Sequence, residues 1–420
     1  MTSSFPANSS LGPSELHCPL LQTMISHRLN NDNQVNMAAV IVHGVVAALG
    51  ILENGLVLWV LGWRLRRKTV ASVWVLNLAL SDFLTTLTLP LFTYYLLNGH
   101  SWELGGPLCA AQASIFFLNM FVSAFLLAAI SLDRCLLVTK PVWTQNQRTV
   151  SMAWKTCGLG WIWAAFNTFP YFMFRSVVVK QDGRKLCYHD FALYSSPNTL
   201  NIDCKVRQTA TAVSKVLLAF VVPLVVIAVS YASFVLELQA RRKRLESRLK
   251  VARNDKQTSS KFLISPSIGQ NGTRLSQSFT KMIFSVIATF VLCWVPYHVF
   301  CLLEVTAQYK TEFVDVVEEY LPFVTTFSFL NSVLNPIIYT FSCPDFCTRI
   351  RQSLGTLFEG LVEEAGPGRR RKSDLSSPIF LLRSPTTPRT HCAQLKSKGS
   401  FDPFAFKSHS IYEGTKNGKI

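Results

Sequence analysis

The sequence predicts an all-α membrane protein, a seven-transmembrane helix bundle followed by a short amphipathic helix, and three observations carry that fold class. Of the 420 residues, 49% are hydrophobic and only 15% charged, and the apolar residues come in blocks of twenty or more rather than in alternation. Seven such blocks can be counted. The connections between them alternate in basic content, the pattern that orients a chain across a bilayer.

The blocks run from about Met37 to Gly62, Ser72 to Leu97, Pro107 to Val138, Met152 to Phe174, Val206 to Leu238, Phe279 to Val305 and Val316 to Phe341. The third sets the scale. Between Cys109 and Arg134 only Gln112, Ser114, Asn119, Ser123, Ser131 and Asp133 are clearly polar, and at 1.5 Å per residue such a helix covers roughly 37 Å, a full crossing with some tilt. Arg64, Arg66, Arg67 and Lys68 follow the first span, Lys140 and Arg148 the third, and a run from Arg241 to Arg274 the fifth, whereas the N-terminal tail has Arg28 alone and the sixth connection Lys310. The positive-inside rule then puts the N-terminus outside and the C-terminus inside, as expected in a plasma membrane. The connection after the fourth span is the exception, with Lys180, Arg184, Lys185 and Lys205 on the outer side. The formal charge of +17 would suggest nucleic acid in a soluble protein; here it reads as topogenic and lipid-facing, and no nucleic-acid partner is expected. Residues 1–36 lack a basic region followed by an apolar core, so the first span is expected to insert the chain.

Four segments follow: an extracellular tail (1–36), the bundle (37–341), an amphipathic membrane-surface helix (342–358) and a disordered cytoplasmic tail (359–420). The third has Phe346, Ile350, Leu354 and Leu357 at helical spacing with Arg349 and Arg351 between them. The fourth is polar and carries Ser376, Ser377, Ser384, Thr386 and Thr387 among basic residues, a phosphorylatable composition. Asn8-Ser9-Ser10 is an extracellular glycosylation sequon, while Asn271-Gly272-Thr273 falls on the cytoplasmic side and should stay bare. The extracellular cysteines are Cys18, Cys109, Cys187 and Cys204, which allow three pairings. Joining Cys109 to Cys187 would pin the fourth connection over the bundle and leave Cys18 for Cys204. Cys343 and Cys347 at the end of span seven are weak palmitoylation candidates.

Charged and polar groups inside apolar spans are expensive and mark function. Asp82 lies mid-span, and Asn54, Asn119, Ser123, Asn331 and Asn335 supply oxygens from other spans. A lone carboxylate among neutral oxygens suits a small hard cation, so Asp82, Asn119 and Ser123 are read as a sodium site, against interhelical hydrogen-bond glue as the competing reading. Apart from that ion no cofactor is expected. Glu53 has no account. Lys215 lies nine residues into span five, roughly 13 Å below Val206, with no acidic residue near it in sequence. An ammonium at that depth calls for an anion; snorkelling, or Glu304 as partner, would be the structural alternatives. With Arg175 at the end of span four and the basic connection, it suggests a cationic mouth over an apolar bundle, drawing in an amphipathic anion. Gln112, Phe92, Phe116, Phe117 and Tyr297 would line that site, and Tyr188 or His189 would add a hydrogen bond from the loop.

Cys293-Trp294-Val-Pro296-Tyr297 in span six and Asn335-Pro336-Ile-Ile-Tyr339 in span seven, together with Asp133-Arg134-Cys135, Asn54, Asp82, Trp161, Pro223 and Tyr231, resemble the per-helix signature of the rhodopsin-like (class A) G-protein-coupled receptors. The resemblance covers about residues 37–358. Further passages, among them Ser114-Ile-Phe-Phe-Leu-Asn-Met-Phe121, Pro170-Tyr-Phe-Met-Phe-Arg175 and Pro296-Tyr-His-Val-Phe300, are similar to the chemoattractant group and to its prostaglandin-D2-binding branch. Two passages depart from that branch: Cys187-Tyr188-His189, where it has two tyrosines, and Val317-Glu318-Glu319-Tyr320, where it has a Trp and an Arg. The resemblance implies a receptor for an acidic lipid, a prostanoid acid first, with a chemotactic peptide as the alternative ligand. It implies a heterotrimeric G protein of the inhibitory class as partner, and receptor kinases and arrestin acting through the tail. In the implied switch, Asp133 holds Arg134 at rest; on activation Arg134 swings toward Tyr231 and Tyr339 as span six, bent at Pro296 beside Trp294, moves outward, with Asn335 and Pro336 shaping span seven. A solute transporter is the rival from another class, but no internal repeat is visible. No metal-spaced His/Cys set, phosphate loop or nucleophile elbow suggests an enzyme.

Overall fold

The computed structural model describes residues 17–26, 37–255, 267–310 and 312–342. Asn8, Cys347, nearly all of the 342–358 segment and the tail beyond it therefore lie outside the described residues. Within them the chain forms α1 (Pro19–Ser26), α2 (Met37–Trp59), α3 (Val70–Leu97), α4 (Gly105–Thr139), α5 (Pro141–Gln147), α6 (Val150–Met173), the strands β1 (Arg175–Val179) and β2 (Lys185–His189), α7 (Leu200–Ser214), α8 (Val222–Asp255), α9 (Ser267–Ala307) and α10 (Glu312–Ser342). Helices α2, α3, α4 and α6 are spans one to four, α7 and α8 together span five, α9 span six and α10 span seven.

Six of the seven are long and apolar enough to cross a membrane by those measures alone. The other, α6, has the length, 24 residues, but Lys155, Asn167 and three tryptophans dilute its apolar character. Its contact face explains its place. Ala153, Cys157, Gly160 and Ala164 form a small-residue stripe that is buried, and a Cβ on Gly160 would stand 2.5 Å from the Phe125 ring of α4, so only glycine lets the two helices approach this closely. Away from such stripes the bundle is coated with apolar side chains: Ile162 and Phe166 on α6 are 69% and 80% exposed, an arrangement that suits lipid and not water.

Local sequence sets several ends. Thr69 caps α3 reciprocally with Ser72, so the helix begins at Val70, two residues before the expected start, and Thr149 accepts from the Met152 amide to open α6. Pro141, which has no amide hydrogen to lose, begins the short α5. Span five is not uniformly α-helical. Between α7 and α8 it passes through a π-helical turn, Lys215–Val221. Pro223 cannot donate a backbone hydrogen bond and its ring crowds the carbonyl four residues back, so the ladder slips by one residue there.

The fourth connection folds into an antiparallel ribbon in which Arg175 pairs with His189, Val177 with Cys187 and Val179 with Lys185. Its turn closes through the Lys180 amide on the Arg184 carbonyl, 2.8 Å, and needs Gly183, whose φ is +87°. Alternation gives the ribbon two working faces. Cys187 is bonded to Cys109 at the head of α4. On the other face Val178, Leu186 and Tyr188 pack with Leu20, Leu21 and Met24 of α1 and with Val314 and Val317 of α10. A second disulfide, Cys18–Cys204, ties α1 to α7, so both bonds take the expected pairing. Helix α1, the ribbon and α5 are the elements that hydrophobic periodicity did not announce.

Candidate functional site

At the ribbon end the bundle encloses a cavity of about 850 Å³. The expected ligand residues Gln112, Phe92, Phe116, Phe117, Arg175, Tyr188, His189, Lys215, Tyr297 and Glu304 all line it. Helix α4 supplies the aromatic floor: Phe116 meets Tyr297 edge-on with centroids 5.4 Å apart and lies 6.0 Å from Trp294, while Phe117 stacks on Tyr171 at 4.0 Å.

Lys215 heads the π-turn and is 4% exposed. Its Nζ stands 5.5 Å from the Phe117 ring centroid, 5.6 Å from Tyr171 and 5.9 Å from Tyr297. Such ring faces stabilise a desolvated cation by roughly 2 kcal/mol, well short of the several kcal/mol that burying an ammonium costs. Among the described residues no carboxylate forms an ion pair with it. Glu304 is engaged elsewhere, accepting the Tyr188 hydroxyl hydrogen. Glu304 makes no close ion pair with Lys215 but acts on it through space, and the Cys301 side chain hydrogen-bonds it; Lys215, facing the rings, does not snorkel. Arg175 is also inside: its Nη1 is 3.2 Å from His189 Nε2 and its Nε 3.3 Å from Cys187 Sγ. A guanidinium only donates, so His189 accepts at Nε2 and carries its hydrogen at Nδ1. Burial, with Arg175 and Lys215 nearby, holds the His189 imidazole well below the usual histidine range, hence neutral.

The expected cationic mouth is largely neutralised, because three of its loop cations are paired with acids. Lys180 is paired with Glu318, Arg184 forks onto Asp182 at 2.9 and 2.5 Å, and Lys185 reaches Glu103 at 2.6 Å, while Lys205 lies over the Tyr309 ring at 5.5 Å. The Arg184 bond holds the Asp182 carboxyl below the usual aspartate range, and the Lys185 bond does the same for Glu103. Glu318 and Glu103 lie 138 and 82 residues from their lysines; that separation hid them from the sequence. Tyr95 and His43 were also missed as lining residues, and Tyr171, stacked on Phe117, as a ring beside Lys215. For Tyr171 a signal existed, since it lies one helical turn before Arg175.

Midway along the bundle Asp82 is fully buried. Its Oδ1 accepts from Asn119 Nδ2 at 3.0 Å and Ser332 Oγ at 2.9 Å, and its Oδ2 from Asn335 Nδ2 at 2.9 Å. Asn119 also donates to Ser81 and, at 3.2 Å, to Ser123. It therefore presents N–H rather than oxygen to the carboxylate, the opposite of what a cation ligand must do. Oxygens that fit a cation do exist: Asn54 Oδ1 and Asn331 Oδ1 are buried without a hydrogen-bond partner. Asn54 donates to the Ser332 carbonyl at 3.0 Å, tying span one to span seven, and Trp161 donates to Asn77 at 3.1 Å. Glu53 keeps one carboxyl oxygen buried without a partner.

At the far end Asp133 is held chiefly by Arg148, with Nε 2.8 Å from Oδ1 and Nη2 3.1 Å from Oδ2. Arg134 stands 3.9 Å from the same carboxylate. The expected Asp133–Arg134 lock is thus the weaker half of a three-residue cluster, since a bidentate fork outcompetes a single long contact. Trp294 is buried against Phe116, Pro296 and Pro336 lie inside their helices, Tyr231 is half-buried, and the Tyr339 side chain is outside the description.

The chain matches the family described as 7 transmembrane receptor (rhodopsin family) over residues 53–339. It is 42% identical over 375 residues to prostaglandin D2 receptor 2 of Mus musculus, covering 87% of this chain and 90% of that protein. It is 33% identical over 336 residues to chemerin-like receptor 1 of Rattus norvegicus, with 78% and 81% covered, and 32% identical over 344 residues to N-formyl peptide receptor 2 of Macaca mulatta, with 80% and 90% covered.

Proposed function

The chain belongs to the rhodopsin family of seven-transmembrane, G-protein-coupled receptors, and from that premise we propose that its ligand is an acidic lipid chemoattractant, prostaglandin D2 or a related prostanoid acid. It is a multi-pass membrane receptor of the chemoattractant kind, not an enzyme. The observation that carries the ligand reading is Lys215: a buried ammonium ringed by Phe117, Tyr171 and Tyr297 and without an acid partner. A carboxylate entering there would complete the charge pair, Arg175 lies in the same cavity, and Phe92 and Phe116 offer walls for a hydrocarbon chain.

The reading extends to a plasma-membrane receptor with its N-terminus outside, coupling to a G protein of the inhibitory class through the Arg134 end, with its tail phosphorylated by receptor kinases and read by arrestin. The disulfides at the ribbon end support that orientation, since such bonds persist in oxidising surroundings. A sodium ion is proposed beside Asp82 and Ser123, with the unpartnered Asn54 and Asn331 oxygens in support. Competition binding tests the ligand: prostaglandin D2 binds and lowers cyclic AMP, whereas its methyl ester, which cannot carry the anion, binds about 100-fold more weakly, a loss of the order of 3 kcal/mol. Equal binding of acid and ester would remove the lipid-carboxylate reading, and displacement by formylated peptides alone would replace it with the chemotactic-peptide reading.

A further inference from the structure

Span five does not stop at the inner end of the bundle. Its apolar block ends near Leu238, yet α8 runs on without a break to Asp255, about 25 Å further at helical rise. Every residue from Arg241 to Arg248 is exposed, so no side of this stretch is packed. Its support is local. Glu237 pairs with Arg241 and Arg242 with Glu246 one turn apart, at 3.1 and 2.9 Å, the spacing that stabilises a helix standing in water. The Arg241 guanidinium also donates to the Val138 carbonyl at the foot of α4, which fixes where the extension leaves the bundle.

Two features of the extension call for a partner. The first is an apolar row. Leu245 is 54% exposed and follows the partly buried Leu238 by seven residues, two helical turns along the same face; the sequence places Leu249 four residues further on. The second is a ring of charge. Arg241, Arg242, Lys243 and Arg244 are consecutive, and at about 100° per residue they point to every side of the helix. Arg248, Lys250 and Arg253 follow, against Glu246 as the one acid of the stretch. A membrane surface or a G-protein face meets a helix along one side and leaves most of that ring in water. A partner that closes around the helix meets the leucine row and the whole ring together.

We propose that α8 beyond Leu238 is a docking helix for a calcium-loaded sensor of the EF-hand kind, an acidic protein that wraps a basic helix and takes its apolar row into a methionine-lined groove. Leu245 is the central anchor, and the cations from Arg241 to Arg244 meet the acidic rims. Calcium dependence follows, because sensors of this kind expose the groove only when loaded. A partner wrapped there lies beside Val138 and keeps a G protein from the same end of the bundle. That consequence rests on G-protein coupling at the Arg134 end, whereas the docking itself does not.

The test titrates full-length protein in phosphatidylcholine nanodiscs with dansyl-labelled calmodulin as the probe. Saturable one-to-one binding is expected in calcium. It should weaken at least tenfold on chelation, at least tenfold in Leu245→Glu, and several-fold in Arg242→Glu. Both substitutions lie on the exposed helix, and unchanged thermal unfolding checks that the bundle is intact. Binding that is absent, indifferent to chelation, or indifferent to Leu245→Glu would overturn the proposal, the last two being signs of plain attraction between a polycation and a polyanion. In discs containing phosphatidylserine the binding should persist; its loss there, with residues 238–253 protected from protease by the lipid, would overturn it and give the helix to the membrane surface. Agonist-driven nucleotide exchange is read separately and should fall several-fold with loaded calmodulin in the wild type but not in Leu245→Glu. Exchange that is unmoved while binding persists would count against coupling at the Arg134 end, a trace distinct from failure of the docking.

Discussion

Asp82 and Lys215 are both enclosed by helices, yet Asp82 accepts hydrogen bonds from Asn119, Ser332 and Asn335 while Lys215 faces three aromatic rings and no acid partner. The difference separates two uses of buried polarity. Around Asp82 the protein supplies the partners itself and gains cohesion between spans two, three and seven. Around Lys215 it supplies rings, the Cys301 side chain and the through-space charge of Glu304, and leaves the contact ion pair to be completed from outside. A folded state that buries a cation without a contact ion pair gives up some stability to hold an anion site ready.

The largest effect is expected at Lys215. Lys215→Ala is expected to weaken binding of an acidic prostanoid at least about 100-fold, of the order of 3 kcal/mol, while the ligand-free melting temperature stays level or rises, because a buried charge without a contact ion pair has been removed. Competition binding alongside thermal unfolding reads both; a lower melting temperature would show that Lys215 is structural. Asp82→Ala should show the reverse. It strands three buried donors at about 1–3 kcal/mol each before relaxation, so thermal unfolding should come several degrees earlier. The sodium-dependent weakening of agonist binding should also vanish; an agonist affinity that is the same in sodium and in a bulky organic cation already in the wild type would sink the ion proposal.

A third acid extends the comparison to the far end. Asp133 is satisfied mainly by Arg148, so Arg148→Ala should release it and change ligand-free nucleotide exchange by a few-fold, with an effect of about 1 kcal/mol. Unchanged exchange would return the restraint to Arg134. The smallest expected effect concerns His189. Its folded-state pKa is depressed by burial first and by Arg175 and Lys215 after that, so the folded protein binds the proton less readily than the unfolded chain. The stability it contributes is complete above the unfolded value near 6.5 and is lost as pH falls from there toward the folded pKa. His189→Tyr should flatten that acid-side decline in melting temperature between about pH 7 and 5, the other histidines being common to both proteins; parallel curves would refute it.

Much of this was legible in the residues. Seven apolar blocks became seven long helices because blocks of that length have few other ways to satisfy their backbones in lipid, and each predicted wall residue lines the cavity. The loop cations were read as a field because their partners, Glu318 and Glu103, come from distant parts of the chain, and pairing at long range leaves no local pattern. The ribbon escaped for a related reason: its two five-residue strands are held by a disulfide and by packing on α1, not by an alternation strong enough to read. Asn119 was credited as a cation ligand from its type alone, whereas the neighbouring carboxylate decides which end of the amide it meets.

The π-helical turn at Lys215–Val221 also acts as an angular offset. One residue more than an α-helical turn requires rotates everything below it by about 100° about the helix axis, so the azimuth at which Lys215, directly after α7, meets the cavity and the azimuth at which α8 presents Tyr231 to the far end are set on either side of the offset. Excising a single residue from that turn would leave both halves of span five well formed and point them in mismatched directions.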